Sequence, residues 1–212
     1  MEKLNLGAKV VSRKSEQVMW EKLPSSMQLY DEFECKLKNG DKAAFVLINE
    51  SEDYLTFCSR DCITRHKINT NCLNGGGIAV SYMQKYLDME IWDLLPDGLK
   101  TLISATRRKY SDGEQVKEFE TKLFLLSASE VFDKDYCYGE KRLYNQIEYF
   151  KDEKNRVKCM DKKTTVWWLS SPAAGYSTHF CTVHTSGGAD YYDASSAFGV
   201  VPCFRIRKNC MI

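Results

Sequence analysis

Short apolar runs separated by polar turns dominate the first third of the chain. Residues 43–48 (Ala-Ala-Phe-Val-Leu-Ile) follow the turn signal Asn39-Gly40-Asp41, which predicts a buried strand. Residues 53–57 form a second apolar run after a polar tetrapeptide, and this spacing predicts the hairpin partner of the first strand. Residues 58–77 are polar and end in Asn-Gly-Gly-Gly, so they predict a flexible loop.

Helical periodicity follows this loop. Apolar residues recur every three to four positions from Val80 to Ile91, which predicts an amphipathic helix with Ser81 as its cap. A second helix is predicted from Pro96, because proline is favoured at the first helical position. Two further segments are predicted to be helical, residues 15–23 and 142–150.

The later apolar runs predict strands at residues 122–127, 166–169, 179–184, 189–192 and 200–206. Residues 105–120 are charged and predict a solvated loop that includes Arg107-Arg108-Lys109. Strands at both ends with helices in the middle predict an α+β fold rather than alternating α/β. We predict one domain over residues 1–212, divided into a lead-in (1–38), an insertion (128–163) and the last strands with the predicted binding surface (164–206).

Composition limits the classes of partner. The chain has 30 basic and 29 acidic residues, a net charge of +1 that lacks the basic footprint of a nucleic-acid binder. No apolar run approaches the ~20 residues of a membrane span or the core of a signal peptide. Nine scattered cysteines do not resemble a disulfide framework. We expect a reduced protein that is cytoplasmic or associated with a virion.

A segment of polar and small residues lies between two apolar runs near the end of the chain. Residues 173–196 consist mainly of small, polar and aromatic residues, a composition that suits recognition because tyrosine provides contact area at low entropic cost. If Cys181 faces inward, strand alternation displays Phe180 and His184. The predicted ligand-binding residues are Tyr176, His179, Phe180, His184, Asp190, Tyr191, Tyr192 and Asp193.

The apolar runs that flank this segment are Trp167–Pro172 and residues 199–206. Trp167 and Trp168 are adjacent on a predicted strand, so their side chains should face opposite sides. Either both are packing residues, or one lies beneath the ligand face or covers a helix.

The sequence patterns that would indicate a metal site or a catalytic site are weaker than the pattern that indicates recognition. Cys58, Cys62, His66 and Cys72 have the atoms for a tetrahedral zinc site, but their spacing differs from the common two-residue gap. Asp190 and Asp193 are too few for calcium. No nucleophile motif accompanies the three histidines. We therefore expect no cofactor, no resident metal and no catalytic residues.

Several landmarks together resemble a family of bacterial and phage domains of unknown function. The family pattern is a helix ending near Leu-Asn or Leu-Asp, an Ile-Phe-Leu-Leu-Ser-like strand followed by Glu, then Trp-Trp-Leu-Arg-Ser-Pro and Gly-Val-Arg-Pro-Ala-Phe. The matching positions are Tyr86-Leu87-Asp88, residues 123–127 with Glu130, residues 167–172 and residues 199–204. The resemblance covers residues 40–206.

This resemblance implies a C-type-lectin-like fold, akin to the formylglycine-generating enzymes, with two helices flanking a small, mainly antiparallel sheet and a long irregular ligand face. It also implies kinship with the variable proteins of diversity-generating retroelements. Ser170 and Val201 replace the two family arginines. If those arginines contact a buried carboxylate in relatives, the chain has lost both ends of that contact.

The expected function is non-enzymatic recognition of a protein or glycan on another cell or particle, as a retroelement variable protein or a phage receptor-binding protein. One alternative is an enzyme related to the formylglycine-generating group, in which Cys181 and Cys203 would be the reactive pair. The other is an assembly subunit that uses the aromatic segment as an interface. The oligomeric state is left open.

Overall fold

The computed structural model describes residues 27–133 and 142–208. The helix predicted over residues 15–23 lies outside these ranges. The described chain is a mixed α+β structure with many strands, mostly antiparallel, and few helices, in agreement with the predicted class. No helix in these two ranges is long and apolar enough to cross a membrane.

The first sheet contains the two strands predicted at the start of the chain. In sheet order, its five antiparallel strands are β1 (Glu32–Lys36), β2 (Lys42–Glu50), β3 (Tyr54–Ser59), β14 (Cys203–Arg207) and β5 (Ile103–Ser104). Strands β2 and β3 form the predicted hairpin. Strand β1 falls within the segment predicted as a lead-in.

The second sheet carries the polar segment. Its order is β12 (Ala189–Asp193), β11 (His179–Val183), β10 (Trp167–Pro172), β13 (Phe198–Val200) and β4 (Thr64–His66). All pairs are antiparallel except β10 with β13, which meet in parallel where Trp167 lies opposite Gly199. The predicted loop over residues 58–77 therefore contains the end of β3 and all of β4.

The strand predicted over residues 200–206 is divided between the two sheets. Strand β13 ends at Val200 in the second sheet, and β14 begins at Cys203 in the first. Pro202 lies at the crossing and has no N–H to donate to a ladder, which suits it to a position between strands. Gly199 is confined by packing, since a Cβ at this position would collide with the Cys62 sulfur.

The solvated loop predicted over residues 105–120 is wrong. Strands β6 (Thr106–Ser111) and β7 (Val116–Thr121) form an antiparallel hairpin here. Arg107 and Lys109 point to solvent, but Arg108 is buried and forms an ion pair with Glu130 at 2.6 Å. A second ribbon joins β8 (Lys158–Met160) to β9 (Lys163–Thr165).

The predicted helix after Val80 is present and begins as expected. It runs as α1 through an α-helical turn (Tyr82–Tyr86), a π-helical turn (Leu87–Ile91) and a final turn (Trp92–Leu94). The Ser81 hydroxyl accepts from the Gln84 N–H at 3.0 Å and caps the helix.

The other helices are short. Helix α2 (Asp97–Leu102) starts one residue after Pro96, and α3 (Ala128–Val131) begins with a capping box between Ser127 and Glu130. The helix predicted over residues 142–150 is wrong, because only a 3₁₀ turn (Glu148–Lys151) forms at its end. Residues 122–127 make a single bridge, from Phe124 to Cys203, rather than a strand.

The two tryptophans face opposite sides of β10, as predicted, and both are fully buried. Trp168 packs in one core with Phe180, Phe204 and α1. Trp167 packs in a second core with Cys58, Cys203 and Phe150. The second sheet is therefore covered on both faces through much of its length, which leaves its edge and loops to form exposed surface.

Candidate functional site

The register of the β11–β12 hairpin decides which polar residues meet. His179 lies opposite Asp193, and Cys181 lies opposite Tyr191. Directly paired residues in an antiparallel ladder project to the same face, so His179, Tyr191 and Asp193 share one face of the sheet. The preceding loop brings Tyr176 to this face.

Three rings are in contact at this place, and we name them the aromatic patch: Tyr176, His179 and Tyr191. Ring centroids lie 4.8 Å apart for Tyr176 and Tyr191, and 5.2 and 5.4 Å from His179 to these two. The Tyr191 hydroxyl donates to the Tyr176 hydroxyl at 3.1 Å. Tyr176 remains 45% exposed. Spacings of 4.5–7 Å are those of favourable aromatic pairs, so the rings support one another.

Asn74 fixes the backbone beneath the aromatic patch. Its buried side-chain amide donates to the carbonyl oxygens of Tyr176 at 2.5 Å and His179 at 2.9 Å. Its backbone N–H donates to Ser177 O at 3.0 Å. Sequence reasoning missed this residue, because the bonds span about a hundred positions and the loop's composition carries no signal of them.

The loop that contains Asn74 adds exposed apolar surface beside the patch. Leu73 is 54% exposed, and Asn69 donates from its side chain to Leu73 O at 2.6 Å. The Asn69 side-chain oxygen accepts from the N–H of Tyr82, a further exposed ring. The Asn69 side chain therefore joins this loop to the first turn of α1.

Asp193 supplies a negative charge at the rim. Its carboxylate accepts from the Ser195 hydroxyl at 2.6 Å and from the Ser195 N–H at 2.9 Å. These hydrogen bonds lower the pKa of Asp193 below its usual value, and the neighbouring His179 lowers it further. The carboxylate is therefore ionised at neutral pH.

Four of the predicted ligand-binding residues do not belong to this surface, and Phe180 and Tyr192 are the first two. Phe180 was expected to be displayed, but it is fully buried in the core with Trp168. Tyr192 lies opposite Phe180, and its ring packs on Phe198 at 4.7 Å. The expectation of exposure fails for Phe180 because the second sheet is covered on both faces.

His184 and Asp190 lie apart from the patch. His184 is exposed in the turn after β11, at the opposite end of that strand from His179, with its Nδ1 3.1 Å from Ser186 Oγ. Asp190 lies opposite Thr182, on the face of Phe180, and accepts from the Tyr191 N–H at 2.8 Å.

The four candidate zinc ligands are not brought together. Cys58 and Cys62 are buried, Cys72 is exposed, and His66 stacks on the Tyr86 ring with centroids 3.9 Å apart. Across the two described ranges, no group of three or more His, Cys, Asp or Glu side chains is placed to hold a metal ion.

Cys181 and Cys203 are both buried in the core that contains Trp167. Burial raises the pKa of the Cys203 thiol well above its usual value. The register of β14 places Cys203 opposite Cys58 rather than Cys181.

A cleft of about 340 Å³ lies away from the aromatic patch, between β2 and the β8–β9 ribbon. Its charged groups take part in the fold. Arg60 forms an ion pair with Glu32 at 3.0 Å, and the Asp61 carboxylate accepts from the Cys159 N–H at 2.9 Å. No histidine lines this cleft, so it does not offer an acid–base pair of the usual kind.

Residues 53–208 match a family model described as a domain of unknown function, DUF6273. The chain belongs to this family. The matched range of the DUF6273 domain runs from the start of β3 to the end of β14 and includes the aromatic patch and Asn74. Neither a curated protein nor a solved structure matches the chain.

Proposed function

We propose that this DUF6273 domain is a non-enzymatic recognition domain that binds a protein on another cell or particle through the aromatic patch. One observation carries the proposal: three rings are in mutual contact at the surface, on backbone that the buried Asn74 amide holds by two hydrogen bonds. A site whose rings are already in place loses less conformational entropy when a ligand binds.

The composition of the surrounding loops favours a protein ligand. Residues 69–77 and 173–178 consist almost wholly of Asn, Gly, Ser, Thr and Ala, with Leu73 and Tyr176 as large exposed side chains. Antibody binding loops use the same combination of adaptable polar residues and rigid aromatic anchors. Because the Asn74 N–H joins the two loops at Ser177 O, their exposed apolar groups form a neighbouring set of the kind that marks interfaces.

The enzyme alternative receives less support. It requires a reactive thiol pair at Cys181 and Cys203, but both are buried, and burial raises the pKa of Cys203. A thiol without thiolate character is a poor nucleophile.

The fold and the biological setting belong to the same proposal. The mostly antiparallel sheets beside α1 and α2 are compatible with a C-type-lectin-like domain. A retroelement variable protein or a phage receptor-binding protein would use such a surface for recognition. A reverse transcriptase gene beside the coding region, with a near-repeat of its 3′ end, would support the first setting, and diversification confined to other segments would contradict it.

The test is a binding screen of the purified chain against a displayed library of bacterial surface proteins and an array of bacterial glycans. A Tyr176→Ala/Tyr191→Ala double variant removes the patch. Tyr30→Ala is the matched control, because Tyr30 is 44% exposed and its ring also contacts a tyrosine, Tyr149, at 5.5 Å.

We expect a displayed protein that binds the wild-type chain and the control but not the double variant. Capture of glycans alone would contradict the proposal that the ligand is a protein. Equal binding by the double variant and the wild-type chain would contradict the proposal that the aromatic patch is the binding site. Concentration-dependent light scattering that disappears in the double variant would show that the partner is a second copy, as in an assembly subunit.

A further inference from the structure

Cys58 and Cys203 lie directly opposite each other on the neighbouring strands β3 and β14. Both side chains are fully buried in the core that contains Trp167 and Phe124. Because the two cysteines are far apart in the sequence, their proximity is evident only from the strand register.

The backbone hydrogen bonds show whether Cys58 and Cys203 form a hydrogen-bonded or a non-hydrogen-bonded pair of the antiparallel ladder. Ser59 N–H donates to Pro202 O at 3.0 Å, so the next position along the ladder is a non-hydrogen-bonded pair. In agreement, the backbone groups of Cys203 bond to Phe124 and not to β3. The Cys203 N–H donates to Phe124 O at 2.8 Å, and Cys203 O accepts from the Phe124 N–H at 3.0 Å. Cα atoms in such pairs are about 4.5 Å apart, inside the range of about 4.4–6.8 Å that a disulfide requires.

A buried lysine lies beside the Cys58 thiol. Lys158 Nζ donates to Ser59 O at 3.2 Å, and the Cys58 Sγ lies 3.3 Å from the same oxygen. The Lys158 side chain is fully buried near the rings of Phe150 and Trp167. Within the described ranges no carboxylate lies in ion-pair distance of Lys158. Its electrostatic effect falls on the nearby Cys58 thiol, whose pKa it lowers.

The two thiols differ in acidity. Burial raises the pKa of Cys58, but a hydrogen bond with the Cys203 thiol and the charge of Lys158 outweigh burial, so the pKa lies below its usual value. Burial and the Cys58 neighbour raise the pKa of Cys203. Cys58 is thus the more acidic thiol of the pair, and the thiolate is the attacking species in disulfide exchange.

We propose that Cys58 and Cys203 are a redox-sensitive modification site that forms a disulfide between β3 and β14 in the presence of a small disulfide oxidant such as oxidised glutathione. The Cys58 thiolate attacks one glutathione sulfur and releases the first glutathione thiolate. With β14 separated from β3, Cys203 is no longer buried; it loses its proton and attacks the Cys58 sulfur of the mixed disulfide, which releases the second glutathione thiolate. Two protein thiols are oxidised and one glutathione disulfide is reduced to two thiols.

Because both cysteines are fully buried, exchange requires β14 to separate from β3, while Lys158 remains bonded to Ser59 O beside Cys58. The disulfide would then join two strands that are far apart in sequence and restrict the unfolded chain. The predicted consequence is a chain that resists denaturation more strongly in its oxidised form.

The test is refolding of the full chain in a glutathione buffer, oxidised or reduced, followed by alkylation and peptide mapping without reductant. We expect a peptide pair that joins Cys58 to Cys203 only in the oxidised buffer. We also expect a higher urea midpoint, which dithiothreitol reverses. Cys203→Ala should abolish both effects, and Cys181→Ala, a buried cysteine of the same core, should leave them unchanged.

Lys158→Met should slow formation of the disulfide without changing its connectivity. The mapping of the wild-type chain does not depend on whether a variant folds. The proposal is overturned if Cys58 and Cys203 both remain alkylatable after oxidised refolding, or if Cys58 pairs with Cys62 or another cysteine.

Discussion

The Arg108 guanidinium donates to the Glu130 carboxylate at 2.6 Å, and the two side chains are only 3% and 5% exposed. The guanidinium also lies over the rings of Phe124 and Tyr144, at 4.1 and 4.4 Å. Glu130 accepts from Ser127 in the capping box of α3. A buried carboxylate therefore remains in this chain, and its arginine comes from β6 rather than from position 170 or 201.

Arg108→Ala should lower the free energy of unfolding by about 3–5 kcal/mol, because it leaves the Glu130 charge buried without a partner. Urea denaturation followed by circular dichroism measures this change. Arg107→Ala is the matched control, since Arg107 is exposed and lies 3.9 Å from Glu118, and it should cost less than about 1 kcal/mol. Equal losses in the two variants would show that the buried pair has no special role.

Two apolar runs joined by a polar turn predicted the β2–β3 hairpin, and periodicity predicted α1 because its apolar positions recur at helical spacing. It failed over β6, where Arg107 and Lys109 alternate with the buried Arg108 and Tyr110. A buried arginine counts as a polar residue in the sequence. The alternation of buried and exposed positions in the strand is therefore not visible as an alternation of apolar and polar residues. Only the location of Glu130 in three dimensions reveals that the charge is compensated.

Tyr192→Ala should destabilise the chain by about 1–3 kcal/mol, whereas Tyr176→Ala should cost less than about 1 kcal/mol. The reason is that the Tyr192 ring packs on Phe198 against the first core, and Tyr176 is at the surface. Thermal unfolding of the two single variants distinguishes them. A larger loss for Tyr176→Ala would mean that the aromatic patch serves the fold rather than a ligand.

Stability should decrease on mild acidification because of His66. Burial lowers the pKa of His66 below its ordinary value, so the unfolded chain takes up a proton at a higher pH than the folded chain. The contribution of this group is complete above the ordinary pKa of about 6.5 and is lost as the pH falls toward the lowered value.

Urea midpoints measured between pH 7.5 and 5 test this dependence. His66→Phe keeps an aromatic ring against Tyr86 and should flatten the profile, and His184→Gln is the control in an exposed turn. An unchanged profile in His66→Phe would assign the pH dependence to other groups.

The candidate site was predictable in part. The composition of residues 173–196 indicated a recognition segment, and Tyr176, His179 and Tyr191 do come together. Phe180 was misplaced because alternation assigns a face but does not tell whether another layer covers it. Asn74 could not be found, since its partners are distant in sequence and it directly precedes three glycines that suggest only a flexible loop.

The most direct test of the recognition surface is the dissociation constant of a protein ligand from the binding screen, measured by titration calorimetry for the wild type, Tyr176→Ala and Tyr30→Ala. The two substituted tyrosines are equally exposed, at 45% and 44%. If the aromatic patch is the binding anchor, Tyr176→Ala should weaken binding about 30-fold or more, as the loss of a hot-spot residue does, and Tyr30→Ala should not change it. Equal dissociation constants for all three proteins would contradict the proposed surface.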